Sequence, residues 1–264
     1  MNIRFEHFFS DADRCCLEVR GLGSFEGLWQ LEADWFEAPN DDRQGFSGVV
    51  TCDLLDALSI ERRVFIKRQE NHCSRTLWHP FRGVPTFYKE YQGLLTFQQA
   101  GIATVEPLYF GWAQAGSRQR AILVTWALDG WQSLDQWYVA SSTAPQRSTL
   151  LDALARLLAS MHNQGFLYGC LYAKHLFIRQ LAIEGDYDIR LLDLENLRRT
   201  RWQQRAVVRD LDQLLRSCHF MPEEDQDQLL TRYFAHTGWA AKKQARVRTT
   251  LKHRIRHKKI RKSV

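Results

Sequence analysis

Three charged residues in this chain have the type and spacing that phosphoryl transfer requires. Lys67 ends the apolar run Val64-Phe65-Ile66-Lys67, and Asp193 ends a second one, Leu191-Leu192-Asp193. Glu90 follows Lys67 by 23 residues, within a segment of helical periodicity. Phosphoryl transfer needs a lysine to neutralise nucleotide phosphates, a glutamate to hold that lysine, and a carboxylate to bind the metal. A charged strand end taken singly is usually just solvated, but the order and spacing of all three indicate a nucleotide site.

Two further features are candidates for contact with a nucleotide. The segment Gly45-Phe46-Ser47-Gly48 is typical of a tight turn between the first two strands, where glycines let backbone N–H groups approach phosphate. An ordinary β-hairpin that contains glycines is the alternative. Trp126 lies in a strand predicted over 120–128, where the nucleotide base would enter, so its ring is a candidate for stacking on adenine. Core packing is the alternative for this tryptophan.

Composition is ordinary for a globular protein of this size. The chain has 264 residues, of which 45% are hydrophobic and 25% charged, enough for one large domain or two lobes. No apolar run approaches the roughly 20 residues that span a bilayer, and no secretory leader is recognisable. The cysteines show neither CxxC pairs nor metal-type spacing, so we expect reduced thiols in a cytoplasmic protein. They are Cys15, Cys16, Cys52, Cys73, Cys170 and Cys218.

The net charge of +6 is distributed unevenly. Residues 242–262 contain eleven lysines and arginines and no acidic residue, whereas the remainder holds 25 basic and 30 acidic residues. Val247, Leu251 and Ile255 recur every four residues, which is typical of an amphipathic helix. Such a basic tail suits an anionic membrane surface, an anionic glycolipid or nucleic acid. A solvated tail that only aids solubility is the alternative.

The order of predicted elements indicates an α+β protein. Strand patterns dominate up to about residue 128, interrupted by a helix over 86–100, and a strong amphipathic helix covers 149–164. A strand pair is predicted around 175–179 and 188–193, and helices follow from about 205. Strands followed by helices favour a small β-rich part and a larger helical part.

Several of these runs together resemble the bacterial lipopolysaccharide kinase family, in particular its InaA-type branch. They are Val64 to His72, Pro85-Thr86-Phe87 with Glu90, Ala121 to Thr125, Gly169 to His175, and Leu192 to Glu195. The resemblance covers roughly residues 25–220. It implies a protein-kinase-like bilobal fold: an N-lobe over 1–125, a C-lobe over 126–240 and a basic tail over 241–264. It also implies ATP and Mg²⁺ as cofactors, and a heptose or Kdo sugar of a lipopolysaccharide core as acceptor.

Carried over by motif, the resemblance assigns Lys67 to the phosphates, Glu90 to the lysine and Asp193 to the metal. It also exposes a departure. Where active kinases of the family have a His-Arg-Asp catalytic loop, this chain reads Tyr168-Gly169-Cys170, and His175 stands where an asparagine is expected to bind metal. The InaA-type branch has this same kind of loop. Both the proton-accepting carboxylate and the second metal ligand are therefore replaced.

The replaced loop leaves several candidates for its chemistry. Cys170, Lys174, His175 and Asp193 are the candidate catalytic residues, and Asp193 with His175 the candidate metal ligands. Lys174 and His175 could lower the pKa of the Cys170 thiol, whose reference value is about 8.5, whereas apolar neighbours would raise it. A space-filling cysteine is the alternative. Imidazole replaces an oxygen ligand poorly at a magnesium site, so His175 could instead contact phosphate or acceptor.

Replacement groups for the missing base and supports for the loop are also visible. Glu195, Tyr172 or His175 could orient the acceptor in place of the missing base. Asp210 and Asp212 resemble the acidic helix start that supports a catalytic loop through backbone hydrogen bonds, with a solvated helix face as the alternative. His162, at the end of the long helix, is predicted to be structural.

Three functions are compatible with these features. The first is an ATP-dependent kinase that phosphorylates a sugar hydroxyl of a lipopolysaccharide core or related glycolipid, held peripherally at the anionic inner membrane by its basic tail. The second is a pseudokinase, a nucleotide-binding scaffold or regulator without transfer activity, as Cys170 and His175 would suggest. The third, nucleic-acid binding, depends on residues 242–262 alone. We predict the first.

Overall fold

A computed structural model describes residues 1–42, 45–75, 81, 83–140, 143–181 and 186–262. These residues form two compact units. The first comprises Met1–Leu95 and Val105–Asp129, and the second comprises Thr96–Thr104 and Gly130–Val264. None of the helices within the described ranges is long and apolar enough to cross a lipid bilayer.

The first unit is built on a six-stranded antiparallel sheet. Its elements in chain order are β1 (Asn2–Phe8), α1 (Asp11–Val19), α2 (Phe25–Gln30), β2 (Trp35–Asp42), β3 (Gly45–Leu55), β4 (Glu61–Glu70), β5 (Cys73–Ser74), β6 (Val84–Pro85), α3 (Thr86–Gln99), β7 (Pro107–Ala115) and β8 (Arg118–Trp126). The strand order is β1-β7-β8-β4-β3-β2, and β5 pairs with β6 separately. Helix α3 begins in this unit, and its residues from Thr96 onward are grouped with the second.

The two faces of this sheet differ because side chains alternate along each strand. Val64 and Ile66 of β4 lie in a buried core with Leu17 of α1 and with Phe25 and Leu28 of α2. This core fills one face of the sheet. The intervening residues of β4, which include Lys67 and Gln69, point to the opposite face.

The second unit is mainly helical. Its elements are β9 (Gln132–Ser133), α4 (Leu134–Val139), α5 (Ala144–Asn163), β10 (Phe166–Leu167), a 3₁₀ turn (Ala173–His175), β11 (Leu176–Gln180), β12 (Tyr187–Leu191), β13 (Arg198–Arg199), α6 (Gln203–Ser217), α7 (Glu223–Thr237) and α8 (Ala241–Lys262). Helix α5 packs against α7. Strands β11 and β12 form the predicted antiparallel pair, with β9 on the other side of β11, and β10 pairs with β13.

The basic C-terminal segment is helical, as its periodicity predicts, but its apolar side is not available for a membrane. Val247 and Leu251 are 0% and 1% exposed, and α8 packs against α6. Arg248 of α8 donates a hydrogen bond to Thr231 of α7 at 3.1 Å. The apolar side therefore completes the helical core, and only the basic side faces solvent. Residues 263 and 264 of the predicted tail lie outside the described residues.

Candidate functional site

Lys67 and Glu90 form an ion pair within the first unit. The Lys67 Nζ atom lies 2.7 Å from Glu90 Oε1, and the Glu90 side chain is only 7% exposed against 26% for Lys67. A buried pair of this kind is costly to break by removing one partner, because the other charge then stays desolvated. The pair therefore holds the lysine ammonium at a fixed position on the face of the sheet that α3 covers.

Gln69 explains why Glu90 reaches Lys67. Gln69 lies two residues along β4 on the same face, is fully buried, and accepts hydrogen bonds from Thr86 Oγ1 and from the Phe87 backbone N–H, both at 2.9 Å. The Phe87 N–H belongs to the first turn of α3, whose N–H groups have no partner within the helix. The Gln69 amide thus fixes the start of α3, and Glu90 follows one turn later. We had not singled out Gln69 from the sequence.

The prediction that residues 45–48 form a tight turn is wrong. Gly45 and Gly48 lie within β3, paired with β2 and β4. Their lack of side chains has a packing reason. A Cβ atom on Gly45 would lie 2.0 Å from the Glu70 carbonyl oxygen, and one on Gly48 would lie 2.6 Å from the Trp35 ring. Both glycines are therefore required by close approach within the sheet.

The prediction that Trp126 stacks on the nucleotide base disagrees with the register of β4 and β8. Lys67 faces Leu123 across the β4–β8 ladder, and Trp126, three residues further on, faces Val64. Because side chains alternate, Trp126 points to the opposite face from Lys67. It is 6% exposed within the α1–α2 core, and the Arg62 guanidinium lies 4.4 Å from its ring centroid. Core packing, the alternative, is what the ring does.

In the second unit, Asp193 stands two residues after β12 in a strained backbone conformation. Its φ angle is 60°, a left-handed value that is uncommon outside glycine and that clusters at functional sites. The preceding residue fixes this bend, because the Leu192 N–H donates to the His175 carbonyl at 3.0 Å and the Leu192 carbonyl accepts from the Tyr168 hydroxyl. The Asp193 side chain remains 38% exposed, so its carboxylate is available to a ligand.

His175 lies beside Asp193, but its Nδ1 atom is already engaged. The Nδ1 atom is 2.9 Å from the Cys170 carbonyl oxygen and 3.7 Å from Asp193 Oδ2. A carbonyl oxygen can only accept, so the partner assigns a proton to Nδ1. The protonated Nδ1 cannot bind a metal and fixes the loop instead, so Nε2 is the ring nitrogen that could contact a ligand. In the described ranges, no group of three or more His, Cys, Asp or Glu side chains is arranged around a metal-sized space.

Cys170 is a protonated thiol at neutral pH. Burial raises its pKa to about 11, with smaller contributions from the negative charges of Asp193 and Glu195, while the hydrogen bond from Asn196 acts in the opposite direction. Lys174 is exposed and does not offset the burial. The thiol is 7% exposed, which agrees with a space-filling role rather than with a thiolate base.

Asn196 was missed by the sequence analysis and links two groups of the loop. Its Nδ2 atom donates to Cys170 Sγ at 3.0 Å and to Glu195 Oε1 at 3.2 Å. The Glu195 carboxylate and the Cys170 thiol therefore share the Asn196 amide as donor. Cys170 stands where active kinases of the family have the catalytic aspartate. Asn196 lies only three residues after Asp193 in the sequence, and this proximity was the one signal that could have indicated a role at the site.

Asp210 is fully buried and supports the loop as one alternative predicted. Its two carboxylate oxygens accept from the backbone N–H groups of Tyr168 at 2.8 Å and Gly169 at 2.9 Å. His162 is equally buried and donates from Nε2 to Asp210 at 3.2 Å, while its Nδ1 accepts from the Tyr233 hydroxyl at 2.9 Å. The structural role predicted for His162 is confirmed.

One further side chain of α6 supports the loop. Gln213, also on α6, donates to the Gly169 carbonyl at 3.0 Å. Asp212 forms an ion pair with Arg216 one turn along α6. Helix α6 therefore holds both the N–H and the C=O of Gly169.

Comparisons with known proteins agree with these observations. The model of the lipopolysaccharide kinase (Kdo/WaaP) family matches residues 26–233. Protein InaA of Escherichia coli (strain K12) is 30% identical over 216 residues, covering 80% of this chain and 95% of InaA. The solved structure of WaaP in complex with acyl carrier protein superimposes with a TM-score of 0.68 at 17% identity, covering 96% of this chain and 97% of that one. The predicted resemblance and the protein-kinase-like α+β fold are confirmed.

Proposed function

Because this chain belongs to the lipopolysaccharide kinase (Kdo/WaaP) family, we propose that it is an ATP-dependent kinase. The acceptor in this proposal is a sugar hydroxyl of a lipopolysaccharide core, of the heptose or Kdo type, or of a related glycolipid. The observation that carries the proposal is the ion pair of Lys67 and Glu90 at 2.7 Å. A lysine fixed by a buried glutamate is the group that phosphoryl transfer needs against nucleotide phosphates.

Asp193 is the residue that would hold the metal. Mg²⁺ prefers oxygen ligands and commonly uses one or two carboxylates together with substrate phosphates. The exposed carboxylate of Asp193 meets this requirement, whereas the imidazole of His175 offers no oxygen ligand. Bound Mg²⁺ would neutralise the charge that develops on the transferred phosphoryl group. In this proposal His175 keeps the loop in shape and does not bind the metal.

Glu195 is our candidate for the group that orients the acceptor hydroxyl. The thiol of Cys170, with a pKa raised to about 11, cannot accept a proton at neutral pH. Glu195 offers a carboxylate that shares the Asn196 amide with that thiol. In a loose transition state the base mainly orients the acceptor hydroxyl. A carboxylate that lies beside the position of the missing aspartate, and not at it, can therefore serve. Tyr172 is the weaker alternative, since its hydroxyl already contacts Gln213 at 3.3 Å.

The position in the cell follows from the proposed acceptor and from charge. A lipopolysaccharide core sugar would be met on the cytoplasmic side of the inner membrane. The exposed basic side of α8 suits peripheral contact with an anionic surface through electrostatic attraction, without insertion of the buried Val247 and Leu251. The amount of the protein in the membrane fraction and in the soluble fraction of the native cell would be compared at low and at high salt.

A pseudokinase is the second candidate, and the Cys170 environment is the observation that favours it. A loop whose cysteine cannot act as a base, beside a histidine that replaces an oxygen ligand of Mg²⁺ poorly, is compatible with nucleotide binding without transfer. In that case ATP would bind while no acceptor becomes phosphorylated.

The deciding experiment has two stages. Thermal unfolding of the full chain is followed with ATP, with and without Mg²⁺, since a ligand at 100 times its Kd stabilises the native state by about 2.7 kcal/mol. A rise in Tm that requires Mg²⁺, and that Asp193→Asn abolishes, supports the nucleotide site. Transfer of labelled γ-phosphate to core oligosaccharide then separates the two candidates. Transfer lost in Asp193→Asn supports the kinase, and binding without any transfer supports the pseudokinase.

A further inference from the structure

The second unit contains an open groove of about 1000 Å³, formed on one side by residues 198–209 and on the other by α8. We call it the α6–α8 groove. The first side contributes five arginines, all of them exposed: Arg198, Arg199, Arg201, Arg205 and Arg209. This segment follows the Asp193–Asn196 turn directly and runs into the first two turns of α6.

Helix α8 supplies the opposite wall with three more cations, Lys243, Arg246 and Arg254. No aspartate or glutamate is among the residues that line the groove within the described ranges. Eight positive side chains thus surround one concave space. Like charges this close repel one another, so the arrangement favours an anionic occupant.

Three of the groove cations are oriented by aromatic rings. The Arg205 guanidinium lies 4.9 Å from the Trp202 ring centroid, and the Arg199 guanidinium lies 4.7 Å from that of Phe166. Lys243 Nζ lies 3.4 Å from the Trp239 ring centroid. In the part of the chain that the structure describes, no ion pair to an acidic side chain involves these three residues. Ring contacts hold a cation in place without neutralising it.

The start of α6 adds a further positive potential. Helix α6 begins at Gln203, its N-cap residue Trp202 makes no side-chain cap, and its first turn holds no acidic residue. Trp202, Gln203 and Gln204 line the groove. The backbone N–H groups of a first helical turn, together with the helix dipole, form a natural site for phosphate. Arginine adds the paired donors that match phosphate oxygens.

We propose that the α6–α8 groove binds a compact ligand carrying several phosphate groups, at a site separate from Lys67 and Asp193. The charge count exceeds what one phosphate needs, and the volume suits a ligand of small-molecule size. Two sources share this chemistry: a soluble polyphosphorylated compound, and the phosphorylated headgroup of a glycolipid. The proposal does not depend on kinase activity, because it concerns binding alone.

The test uses inorganic tripolyphosphate as probe, titrated calorimetrically into the full chain in EDTA at two salt concentrations. The groove variant is Arg246→Glu with Arg254→Glu. The matched control is Lys242→Glu with Lys252→Glu, which changes the same charge on the same helix at exposed residues outside the groove. Circular dichroism and Tm verify that both variants are folded. We expect the groove variant to lose at least about tenfold in affinity and the control less than about threefold.

The alternatives are separated in the same assay. Equal losses in both variants would mean diffuse attraction to a basic surface and would overturn the proposal, as would absence of binding by the wild-type chain. Vesicles that contain a phosphorylated glycolipid, compared with vesicles that contain phosphatidylglycerol, identify the source. If only the vesicles with the phosphorylated glycolipid displace tripolyphosphate, the glycolipid headgroup is supported as the ligand. If neither kind of vesicle displaces it, a soluble ligand is supported. Groove-dependent binding of duplex DNA without binding of tripolyphosphate would replace the proposal by a nucleic-acid site.

Discussion

The Asp210 carboxylate accepts the backbone N–H of Gly169 at 2.9 Å while fully excluded from solvent. Through this bond, helix α6 determines the backbone path immediately before Cys170. The second Asp210 oxygen holds the neighbouring Tyr168 N–H at 2.8 Å. A charged acceptor that satisfies two buried N–H groups makes the loop a rigid part of the helical unit.

Asp210→Asn is expected to lower the free energy of unfolding by about 3 kcal/mol, because an amide cannot accept from both N–H groups and leaves buried donors without partners. Urea unfolding followed by circular dichroism measures the loss. Asp227→Asn, at an exposed residue of α7, removes the same charge and should change stability by less than about 0.5 kcal/mol. Similar values for the two variants would contradict the assigned role of Asp210.

Lys67→Met is expected to destabilise the chain by about 3 kcal/mol, since Glu90 would remain buried without its counter-charge. Adding Glu90→Gln should recover much of that stability, as the uncompensated charge is then gone. Binding of Mg–ATP should be lost in the single and in the double variant alike. Chemical unfolding and calorimetry measure the two properties separately. Recovery of ATP binding in the double variant would show that Lys67 does not contact the nucleotide.

Gly169→Ala is expected to cost more than an alanine at another left-handed glycine. Gly169 has a φ angle of 81°, and a Cβ atom there would lie 3.0 Å from the Asn196 Cβ atom. Gly101, with a φ angle of 66° and open space around it, provides the control, because Gly101→Ala carries only the backbone cost of about 1–2 kcal/mol. Unfolding experiments compare the two. Equal costs would mean that the approach of Asn196 does not constrain the loop.

Cys170 should react with iodoacetamide far more slowly at pH 8 than the exposed Cys15, because the thiolate is the nucleophile and burial raises the pKa of Cys170 to about 11. Alkylation of each peptide, followed by mass spectrometry over a range of pH, measures this. The same shift affects stability. The folded state keeps its proton up to about pH 11, whereas a thiol of pKa near 9.0 in the unfolded chain loses it earlier. The free energy of unfolding therefore falls as pH rises from about 9 to 11, and Cys170→Ala should reduce that slope.

In the proposed reaction, Glu195→Gln is expected to lower the rate of phosphoryl transfer by about 100-fold or more, as removal of an acid–base group does in enzymes. Cys170→Ala should retain the rate within about threefold, because the thiol is protonated and fills space. Transfer of labelled phosphate to core oligosaccharide measures both. A large loss in Cys170→Ala with a small one in Glu195→Gln would reverse the roles assigned to the two residues.

Local sequence patterns were sufficient for part of this site. The strand that carries Lys67 and the helix that carries Glu90 each have a recognisable periodicity, and their pairing follows from a known spacing. The position of Trp126 required the register between β4 and β8, which decides the face of the sheet and is not written in either strand alone. Asn196 and Asp210 contact the loop across 26 and 42 residues. Such contacts depend on tertiary packing, which residue type and spacing do not specify.

The burial of Val247 and Leu251 against the helical core has a practical consequence for how this protein can be dissected. Helix α8 packs on α6, and α6 holds Gly169 through Asp210. The basic segment is therefore not a detachable module that could be trimmed to leave an intact protein. A truncated chain would lose its charge and part of its hydrophobic interior at once, and any defect would be ambiguous. Point changes on the exposed side of α8 separate electrostatics from folding, which deletion cannot do.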